Sequence, residues 1–357
     1  MVAQFRMLPA GQHACAGIDL HKDTLMNCTL IRGSGEISWR KIACKNREQI
    51  VEFFQALPRP HTVAIEAVGF YRWLWELLEP IVDKLVLADA TQARALAGRR
   101  LKTDREDAAN IAELLAAGRL PLAYAPPLEV QVLRDWTRQR NRLSRAHARA
   151  LHGVKSIMNS NNRPGPARLS AGRLSGYLTA YQDRLPERHV RMLWQHQRQL
   201  SLLEEEIGLC ERQIVTHLRS CSLAPVAELL QTAPGVGPVV AATVLAEIGD
   251  FQRFPDGKAI GRYAGLAPRL YASGGKERHG HISKTGPADL RWVLQQAAWT
   301  AIRCDERIKS QWLKISRTAG KKAAAVAIAR KLLVILWQMA RKQQPYQPRK
   351  TPEREAA

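Results

Sequence analysis

The order of apolar runs between Ala14 and Ala117 leaves few sheets open to this chain. Residues 14–31, ACAGIDLHKDTLMNCTLI, read as two strands around a polar turn, the first small and apolar as far as Asp19. Ile37–Cys44 continues the strand pattern. Asn46 then opens a helix carrying Ile50, Val51, Phe53, Phe54 and Leu57, with Gln49 placed as its capping-box partner. His61–Glu66 reads as a strand ending in an acid, Phe70–Leu78 as an aromatic-rich helix and Lys84–Ala88 as a further strand. Helices follow over about 91–97 and 104–117. Three strands, then helix, strand, helix, strand, helix predict a mixed α/β sheet, antiparallel at first and parallel after, with helices on its faces.

Pro121–Pro127 (PLAYAPP) ends that pattern, and the composition changes after it. Residues 128–160 predict a helix dense in arginine: Arg134, Arg138, Arg140, Arg142, Arg145 and Arg149. A loop, NNRPGPARLSAG, and a second long helix over about 187–219 follow. In that helix Leu193, Leu200, Ile207 and Ile214 recur every seven residues, with Leu203 and Cys210 at the companion spacing. This is a coiled-coil-like seam, read as facing a partner chain; a buried helix hairpin is the alternative. Residues 225–345 read as mainly helical, with AAAVAIARKLLVILWQMA a strong helix and a disordered tail beyond. The organisation expected is a sheet domain at 1–125, a helical coiled-coil oligomerisation region at 126–222, an all-α domain at 223–345 and a tail at 346–357.

Lysine and arginine total 54 against 32 acidic residues, a net charge of +22. Charge of that size opposes compaction and calls for an anionic partner, nucleic acid first. A membrane is the competitor, but the longest apolar stretches carry charges and none reads as long enough to span. The segment MVAQFRMLPAGQHA lacks the apolar core of a signal peptide, so a cytoplasmic protein at the nucleoid is expected. The six cysteines form no CxxC pair and read as reduced thiols, neither a zinc site nor disulfides.

Four carboxylates stand out by placement. Asp19 ends the first strand, Glu66 ends HTVAIE, and Asp104 and Asp107 lie three apart in KTDREDA, on one helix face. Thr103 is placed to cap that helix, with Glu106 as its partner. Taken singly, Asp104 is also what a helix first turn favours, and Glu66 could be a loop acid. Together they can converge. Such a cluster repels itself unless cations neutralise it, and hard oxygen ligands suit Mg²⁺ or Mn²⁺. Two such ions are a recurring device of phosphodiester chemistry.

GIDLHK, IEAVGFYRWL and KTDREDAANIAELL, in this order and at these spacings, resemble the DEDD catalytic domain of insertion-sequence transposases related to the Piv-type DNA invertases. The resemblance implies a RuvC-like, ribonuclease H-like fold whose four acids fall on Asp19, Glu66, Asp104 and Asp107.

Further on, Pro234-Gly235-Val236-Gly237-Pro238 lies between two helical patterns, as in a helix-hairpin-helix. Its Gly235 and Gly237 are candidates for phosphate contact through backbone N–H groups, a plain interhelical turn being the alternative. In GRYAGLAPRLYASGGKERHGHISKTGPADLRWVL, Ser273 precedes two glycines in a loop rich in cations: Lys276, Arg278, His279, His281 and Lys284. A loop serine there is suited to attack phosphorus, with Ser283 as an alternative nucleophile and a mere turn serine as the bland reading. Candidate nucleic-acid contacts are Lys276, Arg278, Lys284 and Arg291 here, Lys321 and Lys322 in the acid-free stretch from Arg307, and Arg138, Arg142 and Arg145 on the arginine-rich helix. This block is similar to the C-terminal domain of the same transposases, which maps their serine to Ser273. The resemblance implies exchange of DNA strands at a composite site, with acids from one subunit and serine from another. It also implies a transient serine–DNA phosphodiester, guidance by a structured bridge RNA, and a homo-oligomer, dimer or tetramer, on donor and target DNA. The rival readings are a hydrolytic junction nuclease using water and a non-catalytic nucleic-acid-binding relative.

Overall fold

A computed structural model of the chain describes residues 13–97, 103–273 and 276–347, without the side chains of 97 and 270–279. There are two compact units, one ending at Ala125 and one beginning at Pro126.

The first unit is built on β1 (His13–Leu20), β2 (Thr24–Arg32), β3 (Ile37–Ala43), β4 (His61–Glu66) and β5 (Lys84–Ala88). They form one sheet in the order β3-β2-β1-β4-β5. The β1–β2 and β2–β3 pairs are antiparallel, β1–β4 and β4–β5 parallel, so the mixed sheet expected from the order of apolar runs is present. Central β1 is buried along its whole length. Its even residues Ala16, Ile18 and Leu20 enter a core with Ile50 and Phe54 of α1 (Arg47–Gln55) and Leu74 and Leu78 of α2 (Arg72–Leu78). Cys15 turns to the opposite face, packing with Ala93 of α3 (Ala90–Ala97) and Ile111 and Leu115 of α4 (Asp104–Ala116). The two-residue period of the strand thus divides the sheet into two cores.

Gly17 lies on that second face, and α4 presses directly on it. A Cβ there would sit 2.5 Å from the carbonyl oxygen of Ala108 and 2.5 Å from the amide nitrogen of Ala112. Asn46 precedes α1 without making a side-chain cap; its amide instead reaches Gln49 Oε1 at 3.5 Å, so the expected capping box is absent. Thr103 does cap α4, accepting the Glu106 N–H at 3.2 Å.

The second unit contains α5 (Leu128–Ser160), α6 (Ala171–Tyr181), α7 (Glu187–Ser220), α8 (Ala224–Gln231) and α9 (Pro238–Ile248). Then come α10 (Gly257–Tyr263), a hairpin of β6 (Pro268–Ser273) and β7 (Lys276–Ile282), α11 (Ala288–Cys304), α12 (Glu306–Ala319) and α13 (Lys321–Lys342). Three sequence expectations change here. The heptad seam of α7 is covered from within the chain: Leu193 and Leu200 pack against Ala150, Val154 and Met158 of α5 and Leu174 and Leu178 of α6. It is an intramolecular helical hairpin, and the seam is not free for a partner chain. Leu133, Ile214 and Leu218 share one core with Leu245, Leu294 and Leu333, so the segments on either side of residue 222 are one packed body. Finally, α13 is long and apolar enough to cross a membrane by length and composition, contrary to expectation. Ala325, Ile328, Ala329, Leu332, Leu333 and Leu336 nevertheless line that shared core.

Candidate active site

Strand period and register bring two acids together. Ile18 of β1 pairs with Ile65 of β4, so Asp19 and Glu66 follow side by side at the ends of parallel strands, on the α4 face. The seating of α4 on Gly17 brings its first turn to the same edge. Asp104, Glu106 and Asp107 there also suit the positive end of the helix dipole. Asp19, Glu66, Asp104 and Asp107 all line one cleft of about 340 Å³, together with His21, Phe70 and Arg94.

Asp19 is 3 % exposed. The His21 Nε2 lies 3.1 Å from Asp19 Oδ2 and 3.2 Å from Asp104 Oδ1, bridging strand and helix. Arg94 of α3 reaches Asp107 at 3.5 Å. Burial first, then the hydrogen bond and negative charge of Asp19, push the Glu66 carboxyl up to about 7. The charge of Asp107 acts in the same direction, and Arg94 opposes it. His21 and Arg94 belong to the site although the strand-end acids alone do not indicate them. A signal for His21 was present: it stands two residues after Asp19, on the same strand parity.

These donors fit hard divalent cations. Four carboxylates converge, and one of them, Glu66, already holds its proton unusually tightly because it is buried beside Asp19. This has a consequence for stability. In metal-free protein, folded Glu66 retains a proton that the unfolded chain, at its ordinary 4.5, releases. The stabilisation is complete below that value and is lost as the pH rises through about 7. Chelator-treated protein should therefore melt at progressively lower temperature from pH 5 to pH 8, and Glu66→Gln should flatten that profile. Parallel profiles for the two proteins would exclude Glu66 as its source.

Ser273 is not in an open loop. It ends β6, paired in register with Lys276 at the start of β7, in a hairpin that also pairs Tyr271 with Arg278. Gly274 and Gly275, and the side chains of Ser273, Lys276, Arg278 and His279, lie outside the described residues. A Gly-Gly pair between two strand-like runs is a two-residue hairpin signal, which explains the difference. Ser283 follows the hairpin, with its hydroxyl 2.8 Å from Thr285 Oγ1 and its N–H donating to the Ala267 carbonyl.

Several cations expected to face nucleic acid are committed within the chain. Arg138 makes a two-pronged contact, 2.7 and 2.9 Å, with the carboxylate of Glu247, which is 2 % exposed. An unpaired carboxylate there would cost several kcal/mol, so this arginine has a structural task. Arg145 bonds Asp289 and lies over Trp292. Arg291 donates to the carbonyls of Ala264, Thr285 and Gly286 at 3.2, 2.7 and 2.9 Å, holding the turn before α11. Arg142, Lys284, Lys321 and Lys322 are exposed, with Lys321 and Lys322 in the first turn of α13. Gly237 caps α9, with open space where a Cβ would be. Gly235 has φ +78° and packs on α11, its missing Cβ 2.3 Å from the Ala297 carbonyl oxygen. It is required there for packing.

Comparison with known proteins covers both units. Residues 16–161 match the family model of DEDD transposases of the IS110 type, and residues 227–313 that of the transposase IS116/IS110/IS902 family. A probable family 20 transposase of Pseudomonas aeruginosa is 31 % identical over 343 residues, spanning 93 % of this chain and 98 % of that protein. The transposase of insertion sequence element IS1111A from Coxiella burnetii is 26 % identical, covering 92 % and 90 %. A pilin gene-inverting protein of Moraxella lacunata is 27 % identical, covering 93 % and 97 %.

Proposed function

The chain belongs to the IS116/IS110/IS902 family of transposases, and on that premise we propose that Asp19, Glu66, Asp104 and Asp107 form its metal-dependent strand-transfer centre, with Ser273 as nucleophile. As a transposase it cleaves and joins DNA. The single observation that carries the assignment of the acids is their convergence on one cleft from two strand ends and one helix turn. That convergence also weighs against a non-catalytic relative, which would have no need to keep four repelling carboxylates together.

Divalent cations held by these four acids, two Mg²⁺ or Mn²⁺ ions, would supply the positive charge that a phosphodiester transition state needs. The chain's own groups do the rest. Asp19 and Glu66 are fixed by the sheet register, and Asp104 and Asp107 by the seat of α4, so the donors are positioned before substrate arrives. The Ser273 hydroxyl loses its proton and attacks phosphorus, and the Oγ–P bond forms as the bond to the departing strand oxygen breaks. That oxygen takes up a proton. The hydroxyl of another strand end then attacks the serine-linked phosphorus, joining the strands and returning the serine. β6 ends at Ser273, and two glycines follow it in the sequence, residues that allow close approach of backbone to DNA.

The test is the fate of the cut ends. A duplex carrying element ends, incubated with protein, a structured RNA from the element and Mg²⁺, should give joined strands on a denaturing gel. Free ends alone would indicate water as nucleophile and a hydrolytic nuclease.

Lys321 and Lys322 at the positive end of α13, with Arg142, Lys284, Lys276, Arg278 and the Gly237 turn of a helix-hairpin-helix, are proposed to contact phosphates of DNA and of a structured guide RNA. The protein would do so as a homo-oligomer at the nucleoid, through a surface other than the α7 seam. Affinity should fall by orders of magnitude between about 50 and 200 mM salt, and Lys321→Glu with Lys322→Glu should reduce that slope. A salt slope unchanged by the double variant would remove these lysines from the interface.

A further inference from the structure

His21 is chemically unlike the rest of the acid cleft. It is a nitrogen donor placed between two carboxylates that come from different elements. Its Nε2 lies 3.1 Å from Asp19 Oδ2 and 3.2 Å from Asp104 Oδ1, and one donor atom from each of these three residues fits within 4.8 Å of the others. In an octahedral shell of about 2.1 Å radius, neighbouring ligand atoms stand about 3.0 Å apart. The two distances from the imidazole nitrogen therefore match the edges of a coordination shell.

The backbone fixes the residue at this point. The His21 N–H donates to the Thr24 carbonyl at 2.9 Å, and its own carbonyl receives the Cys44 thiol at 3.5 Å. The side chain remains 52 % exposed, open to a cation entering from solvent.

We propose that His21 is a metal ligand: its Nε2, with one oxygen each of Asp19 and Asp104, forms the protein share of one cation's inner shell and biases that position toward a first-row transition ion such as Mn²⁺ over Mg²⁺. This rests on the reading of the acid cleft as a metal centre and adds a ligand and a preference to it. The physical cause is donor softness. Magnesium favours oxygen and gives up water reluctantly, whereas imidazole nitrogen is a good ligand for the transition ions. Glu66 and Asp107, with no imidazole against them among the described residues, make the remaining oxygen-only part of the cleft. The two cation positions would then differ in kind.

The experiment uses the full chain, freed of metal and titrated with Mn²⁺ or Mg²⁺ alone. Bound Mn²⁺ is followed by electron paramagnetic resonance, and its ligands by pulsed measurement of the nitrogen hyperfine modulation. Wild type should show modulation from a directly bound imidazole nitrogen. His21→Ala should remove that modulation and lower Mn²⁺ affinity about tenfold or more, while Mg²⁺ affinity changes much less. His21 is exposed and outside the packed cores, and the wild-type spectrum decides the ligand without any variant. Mn²⁺ bound without nitrogen modulation, and lost in Asp19→Asn, would overturn the role of His21 and leave the acid centre standing. Mn²⁺ and Mg²⁺ binding insensitive to Asp19→Asn would overturn the acid centre and this ligand with it.

Discussion

Asparagine at Asp19 or at Asp107 should abolish strand exchange, with a loss on the order of a thousandfold, while binding to DNA and RNA persists. The two substitutions keep side-chain volume and remove one negative charge each. Asp19 is buried at the end of the central strand and contacts His21, and an amide oxygen can keep that hydrogen bond. The fold therefore has little to lose. It stands to gain, since Asp19 is a principal source of the charge that presses on Glu66. Metal-free Asp19→Asn protein should accordingly melt no lower than wild type. Loss of exchange with intact melting separates chemistry from folding. The supporting readouts are a gel-shift assay for binding and a strand-exchange assay for chemistry. Exchange at the wild-type rate in either variant would remove that carboxylate from the centre.

Ser273→Ala should remove both a covalent protein–DNA adduct and strand exchange. With wild type, a target duplex and Mg²⁺, denaturation followed by mass spectrometry should recover a DNA strand end attached to the peptide containing Ser273. No acid or histidine is adjacent to it in sequence, so its hydroxyl has no activating group next to it along the chain. Ser273 closes a strand pair at its register partner Lys276, so alanine there leaves the backbone pairing in place. A variant that still recombines would sink the assignment. An adduct on Ser283 or on a tyrosine would move the nucleophile, and Ser283 is the natural second candidate, although its hydroxyl is already engaged with Thr285. Cutting with no adduct would make water the nucleophile.

The sheet and its acids were legible because strand parity and element order are local properties. Each acid ends an apolar run, which is visible locally; that Asp19 and Glu66 share a face follows from the Ile18–Ile65 register, which the sequence does not show. The arginines of α5 were not legible in the same way. Their density suggests a surface for phosphate, but the partner of Arg138 lies 109 residues away, buried on α9. Sequence shows the charge and hides the pairing. The seam of α7 has the same ambiguity: a heptad repeat specifies that a helix must cover it, not which chain provides that helix. The helix α6, AGRLSGYLTAY, carries two glycines that weaken its own propensity and owes its place to Leu174 and Leu178 in the core beside α5 and α7. The hairpin at Ser273 was hidden by its many charges, which made it read as loop.

The contact of α4 with Gly17 bears on how such a protein can fail. The nearest atoms to the missing methyl are backbone, an Ala108 oxygen and an Ala112 nitrogen, so no side chain on the helix can turn aside to admit one. Any larger residue at position 17 must displace the helix as a rigid rod, and both of its aspartates travel with it. Asp19 and Glu66 would stay behind on the strands. Inactivation can thus begin at a position with no side chain to lose, in a copy that still carries all four acids and looks intact when only its acids are inspected.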